Sequence, residues 1–348
     1  MVQTKIFITH KDKHRFFESE IITPIQTGRV ISKKLFSHML GDDSGDNISQ
    51  DNPKYCELTA QYWVWKHYIE IGNPEYVGFM HYRRHFIFGN KEIPKDVIPW
   101  HPGMSMYKVG TLDHVVDNLI SQNIRKTVDG TADCYVLKPY DVRQYALSNR
   151  TIKDHYLNYM PGSKRYIWNI FINILNEKWP DYKFYVNQFA QGYILHACNM
   201  FIMSKKIFFE YNEFCFGVLN ELDQKIDSSS FQGQEKRFLG FFGEFLLTIF
   251  ILKQQQLGTK IQYLDAFFID KPDTTKVLYE FKKFLSFCFA ITNTQEYKML
   301  TLCGIKFKLM KRKKINILQN KLKEQTKMIQ ILANRIIDLE EEIASISK

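Results

Sequence analysis

Short apolar runs alternate with longer segments of helical periodicity along the first 270 residues. The runs KIFITH at 5–10 and YVGFM at 76–80 are short and rich in β-branched and aromatic residues, which predicts strands. Between them, apolar positions of 55–68 recur every three or four residues and predict a buried helix. Asn52 is its expected N-cap, and Pro53 lies in its first turn.

The same criteria predict strands at 134–137 and 199–203 and helices at 206–223 and 235–255. Strands that alternate with helices, with polar residues after the strands, favour an α/β sheet covered by helices. Ligands of such sheets bind beyond the carboxyl ends of the strands. His10 and His81 both stand at such ends.

The last part of the chain differs in its periodicity. Residues 265–301 are expected to be helical or mixed, so that 271–304 forms a helical extension of the preceding domain. From 315 to 346 apolar residues follow a seven-residue repeat interrupted only by Gln325. This pattern predicts a parallel coiled coil, and therefore a homodimer, with a trimer as the other option. The alternative is a single amphipathic helix that packs on the body of the protein.

Charge is concentrated in the same region. The chain carries a formal net charge of +10, and residues 305–348 hold 11 lysines and arginines against 5 acidic residues. Their basic run KFKLMKRKK at 306–314 mixes cations with apolar side chains, which fits an anionic membrane surface. A solvated linker is the plain alternative. Nucleic acid is not expected as a partner, because the body of the chain has no nucleic-acid-binding motif.

The six cysteines and the first residues bear on localisation. Most cysteines lie in apolar stretches without metal-binding spacing, which is typical of reduced, buried thiols in the cytoplasm. The first ten residues do not resemble a secretory signal. Together with the basic run, these features predict a cytoplasmic protein bound peripherally to the inner face of the cytoplasmic membrane.

Two polar segments are candidates for chemistry. The segment HYRRH at 81–85 follows a predicted strand, and its Arg83 and Arg84 would neutralise a diphosphate or form ion pairs with nearby aspartates. The segment GDDSGDN at 41–47 is either a turn or a set of oxygen ligands for a divalent cation. Signatures of α/β-hydrolases, P-loop enzymes and dinucleotide oxidoreductases are missing from the sequence.

Several blocks in order resemble a family of glycosyltransferases of capsular and exopolysaccharide synthesis. The resemblance covers about residues 3–270 and rests on the blocks GDDSGDNIS at 41–49, NPKYCELT at 52–59, VGFMHYRR at 77–84, NMFIM at 199–203 and RFLGFFGEFLL at 237–247. Two positions depart from the family pattern. Phe245 stands where the family usually has arginine, and Glu235 where it often has glutamine.

The resemblance implies a GT-A-like (Rossmann-like) glycosyltransferase domain over 1–270, followed by the helical extension of 271–304 and the basic segment and coiled coil of 305–348. It implies an inverting transfer of a sugar, with galactofuranose from UDP-galactofuranose as the first choice, to a growing, lipid-linked surface polysaccharide. A divalent cation such as Mn²⁺ or Mg²⁺ is compatible with this interpretation but not required. The alternative function is a non-catalytic coiled-coil scaffold of polysaccharide assembly.

The roles expected from this resemblance fall into two groups. Glu244 is the expected catalytic base, with Asp43 as the second candidate. A structural role for Glu244, as the ion-pair partner of Arg237, is an equally good explanation for a carboxylate on this apolar helix. Substitution of Arg83 by alanine is expected to abolish transfer. The residues expected to bind the donor are Thr9, His10, Asp42, Asp43, Asp46, Asn47, His81, Arg83 and Arg84.

Overall fold

The structure is a computed structural model that describes residues 2–11, 17–89, 98–101, 103–110, 112–146, 148–160 and 163–269, the strands between 289 and 310, and Glu324. The chain divides into two compact units, Met1–Asp273 and Thr274–Lys348. The predicted coiled coil of 315–346 lies outside the described residues, apart from the single helical residue Glu324.

Strands and helices alternate through the first unit. Its strands are β1 (Thr4–His10), β2 (Ile22–Gln26), β3 (Leu40–Gly41), β4 (Tyr76–His81), β5 (Arg84–Phe86), β6 (Met106–Val109), β7 (Cys134–Leu137), β8 (Tyr140–Asp141), β9 (Ile194–Leu195), β10 (Phe201–Ser204), β11 (Ile261–Leu264) and β12 (Ala266–Ile269). Its helices are α1 (Asn52–Tyr55), α2 (Leu58–Lys66), α3 (Asp113–Val116), α4 (Ser121–Thr127), α5 (Ile152–Tyr159), α6 (Arg165–Lys178), α7 (Lys183–Gln191), α8 (Lys205–Lys225) and α9 (Phe238–Gln256).

The main sheet has the strand order β11-β7-β10-β4-β1-β2-β3. Neighbouring strands are parallel except where β10 runs antiparallel to β4 and β7. The carboxyl ends of β1, β2, β3 and β4 therefore meet at one edge, which we call the carboxyl edge. Residues just before β10 lie at the same edge, because that strand runs the other way. The α/β sheet expected from the sequence is confirmed.

Helix α9 is apolar around its whole circumference, as expected of a helix enclosed by other elements. The helical stretch Gly233–Gln256 is long and apolar enough to cross a membrane by length and composition. However, 72% of its most apolar part is buried inside the fold, which is how a core helix behaves. Gly243 allows this close packing, since a Cβ there would lie 2.8 Å from Cδ1 of Leu58.

The helix after residue 52 differs from the prediction. Asn52 is the first helical residue rather than the N-cap, and its side chain donates to the carbonyl of Cys56 at 2.7 Å. The expected single helix over 55–68 is broken at Cys56, which has a φ of 56°. The interruption separates α1 from α2. It turns Cys56 and Glu57 toward the carboxyl edge, where they line a cavity.

The second unit contains an antiparallel meander of β13 (Phe289–Asn293), β14 (Tyr297–Leu302) and β15 (Ile305–Met310). The helical extension predicted for 271–304 is therefore wrong for β13 and β14. A linker is likewise wrong for the start of the basic run, which forms β15. The physical reason lies in the alternation of Ile305, Phe307 and Leu309 with lysines, which has the two-residue period of a strand.

Buried histidines make the fold sensitive to acid. Burial lowers the pKa of His81, His85, His155 and His196 to about 4. Between pH 6.5 and 4 these histidines bind protons in the unfolded chain but stay neutral in the folded chain. The free energy of unfolding therefore decreases as the pH falls through this window. We expect the free energy of unfolding, measured by urea titration, to fall steadily from pH 7.5 to 5. A constant value over this range would contradict neutral burial of these rings.

Candidate active site

The carboxyl edge brings together most residues that the sequence singled out. Thr9 is buried and donates from its hydroxyl to the carbonyl of Met80 at 3.2 Å. The His10 ring is buried beside the Tyr82 ring, with 6.1 Å between centroids. Thr9 and His10 thus form the floor of this edge between β1 and β4.

Asp42 has a structural role in place of the expected donor contact. It is fully buried, and its carboxylate accepts from the amides of Gly28 (2.8 Å) and Arg29 (3.0 Å) and from the Ser49 hydroxyl (2.6 Å). Three short hydrogen bonds to a buried carboxylate hold the chain firmly after β2. A donor cannot touch a side chain without exposed surface, so direct contact with Asp42 is excluded in this conformation.

The other polar residues of 41–47 lie at the surface and have local partners. Asp43 lies 3.8 Å from Nε of Arg29, and Asp46 accepts from the Tyr62 hydroxyl at 3.0 Å. The Asn47 side chain bonds the backbone of its own turn. These contacts replace the ion pairs with Arg83 and Arg84 that the sequence left open. The segment is therefore a structured turn.

A cavity of about 220 Å³ opens at the carboxyl edge. Two predicted site residues, Arg84 and Glu244, lie in its wall. Glu57 and Arg237 lie there as well, although the sequence did not assign either a role in binding or catalysis. The lining residues are Cys56, Glu57, Arg84, Trp100, His101, Met104, Tyr140, Tyr145, His155, Tyr159, Met160, Ala197, Cys198, Arg237, Gly240, Phe241 and Glu244.

Glu244 has the most strongly perturbed carboxyl group of the cavity. Burial raises its pKa from 4.5 to about 7, and the negative charge of Glu57 adds to the shift. The charges of Arg84 and Arg237 and a hydrogen bond from the Cys198 amide act in the opposite direction but are weaker. A carboxyl group with a pKa near neutrality exchanges protons readily, as a general acid or base must.

Glu57 is held in place by a side chain from the loop before β10. Its Oε1 accepts from Nδ2 of Asn199 at 2.8 Å and lies 3.9 Å from Nε2 of His81. The same Asn199 amide donates to the carbonyl of Gly240 on α9 at 3.0 Å. One side chain therefore ties the end of α1, the loop before β10 and α9 together around the cavity.

His81 positions other groups and does not itself supply charge. Its Nε2 lies 2.7 Å from the carbonyl of Cys198, which requires a proton on Nε2. Its Nδ1 is then the acceptor for Nη1 of Arg84 at 3.4 Å. Because burial lowers its pKa to about 4, His81 is neutral at physiological pH. The expected contribution of His81 to binding a diphosphate is accordingly indirect, through Arg84.

The two arginines after β4 have different surroundings. Arg84 lines the cavity, and its guanidinium lies 4.7 Å from the centre of the Trp100 ring. Arg83 stacks on Tyr82 and Phe268, 5.3 Å from each ring centre, and does not line the cavity. The structure thus separates a pair that the sequence treated as equivalent.

Arg237 is the second cation of the cavity. It donates from Nε to Sγ of Cys56 at 3.2 Å and from Nη1 to Oε1 of Gln234 at 2.9 Å, so these groups are its partners rather than Glu244. Burial raises the pKa of Cys56 to about 11, which keeps its thiol protonated. Cys56 is therefore a poor nucleophile at neutral pH.

Strained backbone surrounds the cavity. Cys56, Cys198 and Asn199 have positive φ angles of 56°, 76° and 47°, a region that residues other than glycine rarely adopt. Such residues persist only where their surroundings enforce them, and they cluster at functional sites. Here they aim the Cys198 carbonyl at His81 and its amide at Glu244.

Aromatic rings form another part of the cavity wall. Tyr145 lies edge-on to the rings of His101, His155 and Tyr159, with centroid separations of 5.1 to 5.2 Å. The Tyr140 hydroxyl lies 3.1 Å from Nε2 of His155. Ring faces beside hydroxyl and imidazole groups suit a ligand with both C–H and O–H groups. Besides Arg84 and Glu244, the sequence pointed to this pocket through Arg237, seven residues before Glu244 and at the N-cap of α9.

Comparison with known proteins identifies the family. The profile of the family described as "Domain of unknown function (DUF4422)" matches residues 5–255. The chain belongs to this family. Every cavity-lining residue lies inside the matched range, and the second unit lies outside it.

A solved structure is also similar to this DUF4422 chain. It is the apo structure of the bifunctional glycosyltransferase WbbM, with 32% identity and a TM-score of 0.69. The alignment covers 77% of this chain and 46% of that protein, so the chain spans less than half of its length. No curated protein matched the sequence. Among the described residues, no three His, Cys, Asp or Glu side chains form a group able to hold a metal ion.

Proposed function

We propose that this DUF4422 chain is a glycosyltransferase that uses a nucleotide-sugar donor in the synthesis of a surface polysaccharide. The observation that carries the proposal is a cavity in which Glu244, with a pKa of about 7, shares the wall with Arg84 and Arg237. Sugar transfer needs a base for the acceptor and positive charge for the departing diphosphate. The likeness to WbbM, a protein described as a glycosyltransferase, supports the same conclusion.

The proposed reaction is a single displacement with inversion. The acceptor oxygen forms a bond to the anomeric carbon of the donor while the bond from that carbon to the diphosphate oxygen breaks. Glu244 takes the proton of the acceptor hydroxyl, and the leaving diphosphate keeps the electron pair. Arg84 and Arg237 stabilise the charge that develops on the diphosphate, because charged N–H donors bind phosphate oxygens strongly.

The nucleotide has a separate place at the carboxyl edge. We assign the uridine and ribose of a UDP-sugar to the surface at the carboxyl ends of β1 and β3, where Asp43 is exposed and the buried Thr9 and His10 form the support beneath. The assignment follows the general position of ligands in open α/β sheets. UDP-galactofuranose remains the first donor to test, and the aromatic wall is the proposed site of the acceptor glycan.

A panel of UDP-sugars tests the proposal directly. We expect transfer to a glycan acceptor with at least one donor, and most of the rate to persist in the presence of a chelator, because two arginines already supply positive charge. Calorimetry with UDP gives the binding step independently. Binding of UDP without turnover of any donor would contradict the enzyme and favour the coiled-coil scaffold. Loss of all transfer on chelation would show that the arginines do not replace Mn²⁺ or Mg²⁺.

The C-terminal residues 305–348 would dimerise the enzyme and hold it at the membrane that contains its acceptor. We infer a homodimer through 315–346, peripheral at the inner face of the cytoplasmic membrane, where a lipid-linked acceptor would be found. Light scattering on the full chain at micromolar concentration is expected to give twice the monomer mass. A monomer would contradict the coiled coil.

A further inference from the structure

The loop that joins β2 to β3 exposes apolar side chains at its tip. We call residues 29–35 the β2–β3 loop. Val30, Ile31 and Leu35 expose 55%, 48% and 59% of their surface to solvent. Single exposed apolar residues are common on protein surfaces, but three within six positions of one short loop form a patch.

The same loop carries positive charge without acidic neighbours in sequence. No aspartate or glutamate occurs between Glu20 and Asp42. Lys33 and Lys34 are exposed, and neither forms a salt bridge with a carboxylate in the described part of the chain. Apolar side chains and two lysines therefore share one small surface, and the third cation of the loop, Arg29, is paired with Asp43 at 3.8 Å.

Two fully buried polar side chains hold this loop in shape. Gln26 donates to the carbonyl of Lys34 at 2.7 Å and to the Ser32 hydroxyl at 3.1 Å, and it accepts from the Phe36 amide at 3.0 Å. Asp42 holds the opposite end through the amides that follow β2. The loop is thus fixed in a form that presents its apolar side chains to solvent, which explains the buried aspartate of the 41–47 segment.

We propose that the β2–β3 loop inserts into an anionic lipid surface. Val30, Ile31 and Leu35 would enter the boundary between headgroups and acyl chains, while Lys33 and Lys34 would contact lipid phosphates. A lipid surface fits better than a protein partner. Three side chains expose far less than the roughly 800 Å² per partner of a standard protein interface, and a lipid surface needs no matching shape.

The position of the loop bears on function. It follows the carboxyl end of β2, so it lies at the edge of the sheet that contains the cavity. Insertion would turn the cavity toward the lipid surface, where a lipid-linked acceptor resides. The functional meaning of this orientation rests on the proposed glycosyl transfer. The proposal that the loop contacts lipid does not depend on that transfer.

Vesicle sedimentation of the full chain tests the proposal. The probes are vesicles of phosphatidylcholine alone and vesicles with about one-third phosphatidylglycerol. The variants are Val30→Ser/Ile31→Ser/Leu35→Ser and Lys33→Ala/Lys34→Ala. Matched controls on the opposite edge are Ile69→Ser/Leu257→Ser, with exposures of 77% and 64%, and Lys206→Ala/Lys260→Ala. Circular dichroism confirms that each variant is folded.

We expect both loop variants to lower the partition coefficient on anionic vesicles about tenfold, with both controls unchanged. Equal binding by loop variants and controls would overturn the proposal and assign lipid binding to the basic run of 306–314. A change in oligomeric mass without a change in lipid binding would overturn it in favour of a protein interface. Transfer to a water-soluble acceptor should be unaffected by the loop variants, so failure of the lipid proposal and failure of the enzyme proposal are distinguishable.

Discussion

Substitution of Glu244 by glutamine is expected to reduce kcat for sugar transfer by about 10²- to 10⁴-fold, the range for loss of a general base. Glutamine keeps the shape of the side chain and an oxygen that can accept from the Cys198 amide, but it cannot take a proton from the acceptor. UDP binding, measured by calorimetry, should change little. Near-normal turnover by this variant would remove Glu244 from the mechanism.

The pH dependence gives this prediction a second, independent test. Since Glu244 must be ionised to act as a base, kcat is expected to rise with pH through about 7 and then level off. The charge of Glu57 contributes to the raised pKa of Glu244. Glu57→Gln should therefore retain transfer and move the rise to lower pH. An unchanged profile in Glu57→Gln would show that the two carboxyl groups are not coupled.

Glu244→Gln should also stabilise the fold at alkaline pH. The pKa of Glu244 is raised in the folded state, so the folded protein loses stability as the pH rises from 4.5 through about 7. Removal of this buried charge should increase the free energy of unfolding at pH 8 by on the order of 1 to 3 kcal/mol. Urea titration at pH 8 and pH 4.5 measures the difference. A variant that loses activity and stability equally would indicate a structural defect.

Arg84→Ala is expected to lower kcat by about 10²- to 10³-fold, because the cavity then loses one of two cations that face the leaving diphosphate. Arg83→Ala is the matched control. Its guanidinium stacks outside the cavity, so we expect less than about tenfold loss, mainly from altered packing on Phe268. This order differs from the sequence-based expectation that Arg83 is essential. A larger loss in Arg83→Ala than in Arg84→Ala would restore that expectation.

The position of His81 explains why the arginines differ. Its neutral ring accepts from Arg84 on one side and donates to the Cys198 carbonyl on the other. The Arg84 guanidinium is thereby tied to the strained loop before β10, and the stacking of Trp100 holds its other face. Both guanidinium groups lie near the Phe268 ring, but Arg83 packs on Tyr82 and has no contact with His81 or Trp100 that would hold it in the cavity wall.

Local patterns of apolar residues in the sequence were sufficient to place several strands and helices of the first unit. Strands β1, β4 and β7 and helices α8 and α9 fall close to the predicted positions, because apolar periods of two and 3.6 residues depend only on neighbouring positions. The same patterns failed at Cys56, where a φ of 56° interrupts a continuous helical periodicity. They also failed at β13 and β14, since short apolar runs are ambiguous between helix and strand.

The sequence alone was sufficient to predict the α/β class, and it named Arg84 and Glu244 as candidate site residues. Only the tertiary structure decided that Glu57 and Glu244 share one cavity, and that Asp42 is a buried support. The physical reason is that pKa shifts and burial come from groups distant in sequence. The sequence around a carboxylate does not reveal whether distant parts of the chain will bury it or leave it in contact with water.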